Sequence, residues 1–198
     1  LKLYHDIDPA KLKGTIIGCA MCNFEAFTHK TMFVNPQDNK NLNAVFPGNP
    51  DGTITEVIAN TLLQLASCAD YHIDMHSGDR QEYLNPYVFY HRNSAGRTDI
   101  DEMSLKMAKA YGLEYIAITE SAGKGASDIG NFYTSVSELG IPCIQPEIGG
   151  LGLVDKKTKT LHYNGLRSVL DMLGMYEAEE VTSADRQVEL DSFYRLKA

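Results

Sequence analysis

Short apolar runs alternate along this chain with longer stretches in which apolar positions recur three and four residues apart. The runs suit central strands buried on both faces and the longer stretches suit amphipathic helices. Their alternation predicts an α/β fold, a mostly parallel sheet covered on both faces by helices. Strands are expected at Thr15–Cys19, Tyr71–Met75, Tyr87–His91, Glu114–Thr119 and Pro142–Gln145. The clearest helix runs from Ile54 to Ser67, with Ile54, Val57, Ile58, Thr61, Leu62 and Leu65 inward and Thr53 with Glu56 forming a capping box. Further helices are expected over Asp101–Tyr111, capped from Asp99 and stopped by Gly112, and over Ser127–Leu139, with Ile129, Phe132, Val136 and Leu139 inward and Gly140 as stop. A last one is expected over Leu166–Leu173, closed by Gly174.

Beyond Gly174 an acidic linker leads to Val188, Leu190, Tyr194 and Leu196, which alternate like a strand with nothing after them to pair with. This pattern divides the chain into an α/β domain over residues 1–175 and a linker with the first strand of a second domain over 176–198. The opening residues read as the tail of a helix and a turn entering a strand, so the first domain is expected to lack its N-terminal part.

Composition narrows the function. Of 198 residues, 43% are hydrophobic and 22% charged, ordinary for a globular protein, and no apolar run approaches the ~20 residues of a membrane span. The start lacks a signal-peptide pattern and four cysteines are too few for a disulfide scaffold, so a reducing cytoplasm is the expected location. A net charge of −8 with no basic cluster argues against nucleic acid and toward a small-molecule partner, and leaves an oligomer open.

In an open parallel sheet, ligands bind at the carboxyl ends of strands. His76 in "ADYHIDMHSGD" and Glu147 in "IPCIQPEIGGLG" both occupy such ends, and Gly149-Gly150 would let backbone approach a ligand closely. A neutral imidazole suits zinc, and a carboxylate opposite an open metal position can accept a proton from water. A histidine at a strand end is also often only hydrogen-bonded. His72 competes for the ligand role, since in a strand His72, Asp74 and His76 share one face, but only His76 reaches the end. Asp74 is a partner for the imidazole or a carboxylate bonded to loop amides. Cys19-Ala-Met-Cys22 invites a redox or zinc reading, but Cys68 and Cys143 are isolated and buried thiols are the preferred expectation. The loop over residues 40–52, dense in Asn, Gly and Pro, reads as a turn.

Taken together and in order, "NLNAVFPGNPDGTITEVIA", "DYHIDMHSG", "GIPCIQPEIGG" and "GLRSVLDMLG" resemble the succinylglutamate desuccinylase and aspartoacylase family, relatives of the zinc carboxypeptidases, from about Leu12 to Gly174. The resemblance implies a mixed, mainly parallel sheet between helices, followed in many members by a small β-rich domain. It also implies a zinc-dependent hydrolase that cleaves the amide bond of an N-acyl amino acid or related small N-acyl amine. By it, His76 is a zinc ligand, Glu147 the general base, and Asn43 and Lys30 contact substrate. Two departures stand out. The family's His-Gly-x-Glu motif, source of two further zinc ligands, occurs nowhere here, which is expected to reflect truncation. The arginine that follows the family's asparagine is Ala44, so Lys30, Arg80 or Arg92 would have to hold a substrate carboxylate. A non-catalytic binding module of the same fold is the alternative. A flavodoxin-like protein is disfavoured, because "GCAMCNFEAF" is no glycine-rich phosphate loop.

Overall fold

The computed structural model describes residues 2–93, 95–120, 130–177 and 184–190. In chain order these carry α1 (Lys2–Asp6), α2 (Phe24–His29), a 3-10 turn (Leu42–Ala44), α3 (Ile54–Ala66), β1 (His72–Ile73), β2 (Tyr87–Arg92), α4 (Thr98–Tyr111), β3 (Tyr115–Glu120), α5 (Phe132–Glu138), β4 (Cys143–Glu147), α6 (Lys156–Met172) and β5 (Val188–Leu190). The five strands form one sheet in the order β1-β4-β2-β3-β5. Three of its four pairings are parallel and β2–β4 is antiparallel. The α/β expectation holds, with a mixed sheet.

Strand alternation gives the sheet two apolar faces. Phe89, Ala117 and Cys143 pack with Leu62, Leu63, Phe132, Tyr133 and Val136 of α3 and α5. Val88, Tyr90, Ile116, Ile118 and Ile144 pack with Met107, Ala108, Tyr111 and Val169 of α4 and α6. Burial on this scale, at roughly 1.5–3 kcal/mol for each large side chain removed from water, is what holds helices to both faces. The Tyr111 hydroxyl lies 2.9 Å from His162 Nδ1, which ties α4 to α6.

The helices differ instructively from their sequence reading. The α3 capping box is present, with Glu56 accepting from the Thr53 N–H at 2.8 Å, but the helix buries Thr55, Ala59, Leu62, Leu63 and Ala66, while Ile54 and Leu65 stay exposed. The inward face is therefore turned relative to the predicted one. Asp38, on the preceding loop, explains the turn: its two oxygens accept from the Thr55 N–H at 2.9 Å and hydroxyl at 2.7 Å, drawing the small Thr55 inward. α4 starts at Thr98 with Asp99 inside its first turn, so Asp99 is not the cap; it pairs with Arg97 instead. α6 begins ten residues before Leu166, capped by Asp155, and runs through Gly165, where a Cβ would come 2.4 Å from the Tyr111 ring. That glycine is a close-packing point within the helix. Of the Ser127–Leu139 expectation, Phe132–Glu138 is helical with Phe132 and Val136 buried and Leu139 exposed, and Ser127 and Ile129 lie outside the described residues.

Thr15–Cys19 is not a strand: its backbone is irregular, and a strand requires a neighbour to receive its hydrogen bonds. The nearby Lys13 N–H bonds to the Met175 carbonyl of the turn after α6. Val188–Leu190, expected to find no partner, pairs in parallel with Tyr115–Ala117 at the sheet edge; Tyr194 and Leu196 lie outside the described residues. The loop over 40–52 is more than a turn, since its Leu42 and Phe46 enter the core and Phe46 stacks on Phe132 with ring centroids 4.5 Å apart. No described helix is long and apolar enough to cross a membrane.

Candidate active site

β1 and β4 run parallel with His72 beside Cys143 and Ile73 beside Ile144. The register continues past the end of β1. The Asp74 N–H donates to the Ile144 carbonyl at 2.9 Å, the His76 N–H to the Pro146 carbonyl at 3.0 Å, and the Ile148 N–H back to His76 at 3.2 Å. His76 thereby lies abreast of Glu147. Period-two alternation then puts His72, Asp74 and His76 on the same face as Gln145 and Glu147, the face covered by α5, while Ile73 and Ile144 turn to the other core. The expected convergence of His76, Asp74 and Glu147 is observed.

His76 Nε2 lies 3.3 Å from Asp74 Oδ1 and Nδ1 lies 3.7 Å from Glu147 Oε1. Burial works against a charge on this imidazole, but the two carboxylates outweigh it and raise its pKa above the ordinary histidine value. The 3.7 Å separation exceeds hydrogen-bond length, whereas Asp74 is close enough to orient the ring through Nε2. Glu147 is 8% exposed, and its Oε1 accepts a 2.8 Å hydrogen bond from Gln145 Nε2. Gln145 was not anticipated as a functional residue. The signal was available in "QPE", where polar residues two apart at a strand end must share a face.

His72 sits deeper, its ring edge-on to Phe132 with centroids 4.5 Å apart, and burial lowers its pKa against the pull of Asp74. Its Nε2, Asp74 Oδ2 and Gln145 Oε1 are buried without a hydrogen-bond partner among the described residues. Three such atoms beside His76 and Glu147 mark a polar pocket rather than an apolar core, since each unsatisfied atom costs on the order of 1–3 kcal/mol. Among the described residues no three His, Cys, Asp or Glu side chains are arranged to hold a metal ion. His76 with Asp74 therefore fits one edge of a metal site, and does not complete one.

The remaining candidates fall elsewhere. Asn43, in the 3-10 turn, accepts a hydrogen bond from the Phe132 N–H at 2.9 Å and so anchors the start of α5 behind His72. Lys30 is exposed at the left-handed C-cap of α2, and no described hydrogen bond or ion pair joins it to His76 or Glu147. Arg92 is paired with Glu120 at one end of β2, whereas Glu147 lies beside Tyr87 at the other end, which removes Arg92 as a carboxylate anchor for this pocket. Arg80 belongs to the loop directly after His76 and packs over Gly152. Gly150 admits protein backbone rather than ligand: a Cβ there would stand 2.2 Å from the Glu82 carbonyl oxygen, and Tyr83 bridges to it. Cys19, Cys22 and Cys68 are exposed and only Cys143 is buried, contrary to the expectation of buried thiols.

The mixed α/β sheet thus brings an acid, an imidazole held by Asp74 and unsatisfied polar atoms together at the ends of adjacent parallel strands. Residues 1–173 match the succinylglutamate desuccinylase/aspartoacylase catalytic domain, and the chain belongs to that family. It is 29% identical over 191 residues to an N-α-acetyl-L-2,4-diaminobutyric acid deacetylase from Halomonas elongata, covering 96% of this chain and 54% of that protein. The product-bound structure of the ectoine utilization protein EutE (DoeB) from Ruegeria pomeroyi superimposes with a TM-score of 0.83 at 26% identity, over 96% of this chain and 56% of the other. A succinylglutamate desuccinylase from Silicibacter sp. TM1040 gives a TM-score of 0.72 at 29% identity, over 86% and 49%. The chain thus spans about half the length of the relatives it matches.

Proposed function

We propose that this chain is the catalytic α/β portion of a zinc-dependent hydrolase that cleaves the amide bond of an N-acyl amino acid or related small N-acyl amine. The observation that carries the reading is the pairing of His76 with Glu147 across adjacent parallel strands, with Asp74 and Gln145 each holding one of them. Family membership, together with a deacetylase and a desuccinylase among the relatives, supports the reaction class.

His76 would contribute one ligand to the ion through Nδ1, and the remaining ligands would come from outside the described residues. When bound, zinc supplies Lewis-acid polarisation of the amide carbonyl and makes water more acidic. Glu147 takes the proton from the attacking water and passes it to the departing amine nitrogen, the role for which a buried, oriented carboxylate is suited. Gln145 fixes one carboxylate oxygen, Oε1, the oxygen nearest His76. Arg80, carried on the loop after His76, is the proposed partner for a substrate carboxylate in place of the arginine that Ala44 lacks.

The test is a hydrolysis assay on full-length protein with a panel of N-acyl amino acids and N-acyl diamines, before and after chelation and zinc restoration. Amide cleavage lost with the metal and regained with zinc is the expected result. A protein that binds these ligands without turning them over is the non-catalytic alternative.

A further inference from the structure

We propose that the cleft between the first residues of the chain and the end of α6 binds a small anion bearing two or more phosphate groups, at a site separate from His76 and Glu147. The cleft has a volume of about 1190 Å³, ample for a small ligand. Lys11 and Lys13 line it from the segment after α1, and Arg167 and Tyr176 from α6 and the turn that follows. Its walls are tied to each other. The Lys13 N–H donates to the Met175 carbonyl at 2.8 Å, the Asp8 N–H to the Tyr176 hydroxyl at 3.1 Å, and the Tyr163 hydroxyl to Asp6 at 2.7 Å.

The charge of this cleft runs against that of the chain, which is −8 overall. Among the described residues, ion pairs engage Lys2, Lys40, Arg92, Arg97 and Lys109, and none engages Lys11, Lys13 or Arg167. Of the two acids in the lining, Asp6 is already held by Lys2 and Tyr163, which leaves Glu177 against the three cations. The end of α6 is capped, with the Asp171 and Leu170 carbonyls bonded to the Gly174 and Met175 N–H groups, and this blunts the negative pole of the helix. The Arg167 guanidinium lies 4.8 Å over the Tyr176 ring and donates to the Glu177 carbonyl at 3.3 Å. That fixes the guanidinium against the wall and leaves further N–H groups in its plane for an anion.

Phosphate suits this arrangement better than carboxylate. A carboxylate offers two oxygens in one plane, matched to a single fork, whereas a phosphate group directs three acceptor oxygens to cations on both walls. The candidate active site lies elsewhere along α6: Thr158 packs beside Gly149, and Arg167 stands nine residues further on, about 14 Å along the helix axis.

The test is calorimetric titration of inorganic pyrophosphate into full-length protein stripped of metal by chelation. One equivalent should bind. Arg167→Gln and the double variant Lys11→Gln/Lys13→Gln should each weaken binding by about 10–100-fold, the latter at two exposed positions. His76→Ala, and Lys106→Gln/Lys157→Gln at exposed lysines outside the cleft, should bind as the wild type does, and citrate should bind more weakly than pyrophosphate. Absence of binding, or unchanged binding in the Lys11/Lys13 variant, overturns the proposal. So does a loss in His76→Ala, which would place the anion in the active site, or a loss in the Lys106/Lys157 variant as large as in the cleft variants. Citrate binding as tight as that of pyrophosphate overturns the phosphate assignment.

Discussion

Glu147 and Gln145 project together from β4 because they are two residues apart in a strand, and the amide of one fixes an oxygen of the other. Gln145→Leu keeps the bulk and removes the donor, so kcat should fall by about 1.5–3 kcal/mol of transition-state stabilisation while KM changes little. Steady-state kinetics on full-length protein would show this, and a change confined to KM would reassign Gln145 to substrate binding. Arg80 should behave in the opposite way: Arg80→Ala raises KM for substrates with a free carboxylate and leaves kcat nearly unchanged, whereas uncharged substrates are unaffected. The two histidines of the motif separate similarly. His72, packed on Phe132, should cost about 0.5–3 kcal/mol in thermal unfolding when replaced by Ala, with zinc retained. His76→Ala should lose zinc by metal analysis, and retained stoichiometric zinc would pass the ligand role to His72.

At the scale of elements, α3 and its approach loop are bound by carboxylates. The Asp38 pKa is lowered to about 2: burial opposes ionisation, but hydrogen bonds from Thr55 prevail. Glu56 is lowered to about 2 by Lys40 and Thr53. A carboxylate whose folded pKa is depressed adds stability that is fully present above its unfolded pKa, here 3.8 and 4.5, and is lost as pH falls toward 2. Melting temperature should therefore drop steeply between about pH 4.5 and 2, and Asp38→Asn should flatten that drop while lowering the neutral-pH value. The same loop shows what sequence could and could not disclose. The capping box of α3 is a local signal and was legible, as were β2, β3 and β4, whose apolar runs are bounded by turn residues. The rotation of the α3 face was not, because it depends on Asp38 reaching Thr55 across 17 positions. Gly165, just outside the predicted bounds of the last helix, lies within α6 as the seat of the Tyr111 ring. His76 and Glu147 were legible as strand ends, but their adjacency is a product of sheet order, which no local pattern encodes.

For the whole molecule, the sheet sets two parallel strands, β1 and β4, against an antiparallel group, so His76 and Glu147 gather at one end of the first pair. β5 closes the opposite edge: Val188 donates to the Glu114 carbonyl at 2.8 Å and Glu189 pairs with Lys109 at 2.8 Å. Deleting residues 184–198 should expose the edge of β3 and speed amide exchange at Tyr115–Ala117, leaving α3 as protected as before. The hydrolase reading itself turns on proton transfer by Glu147, a side chain whose conservative replacement separates chemistry from architecture. Glu147→Gln keeps size and hydrogen bonding but accepts no proton. In full-length protein, turnover of the best N-acyl substrate should fall by roughly 10²–10⁴-fold, with zinc content and melting temperature scarcely changed. A variant that loses stability or metal yet hydrolyses the amide at close to the normal rate would contradict the account.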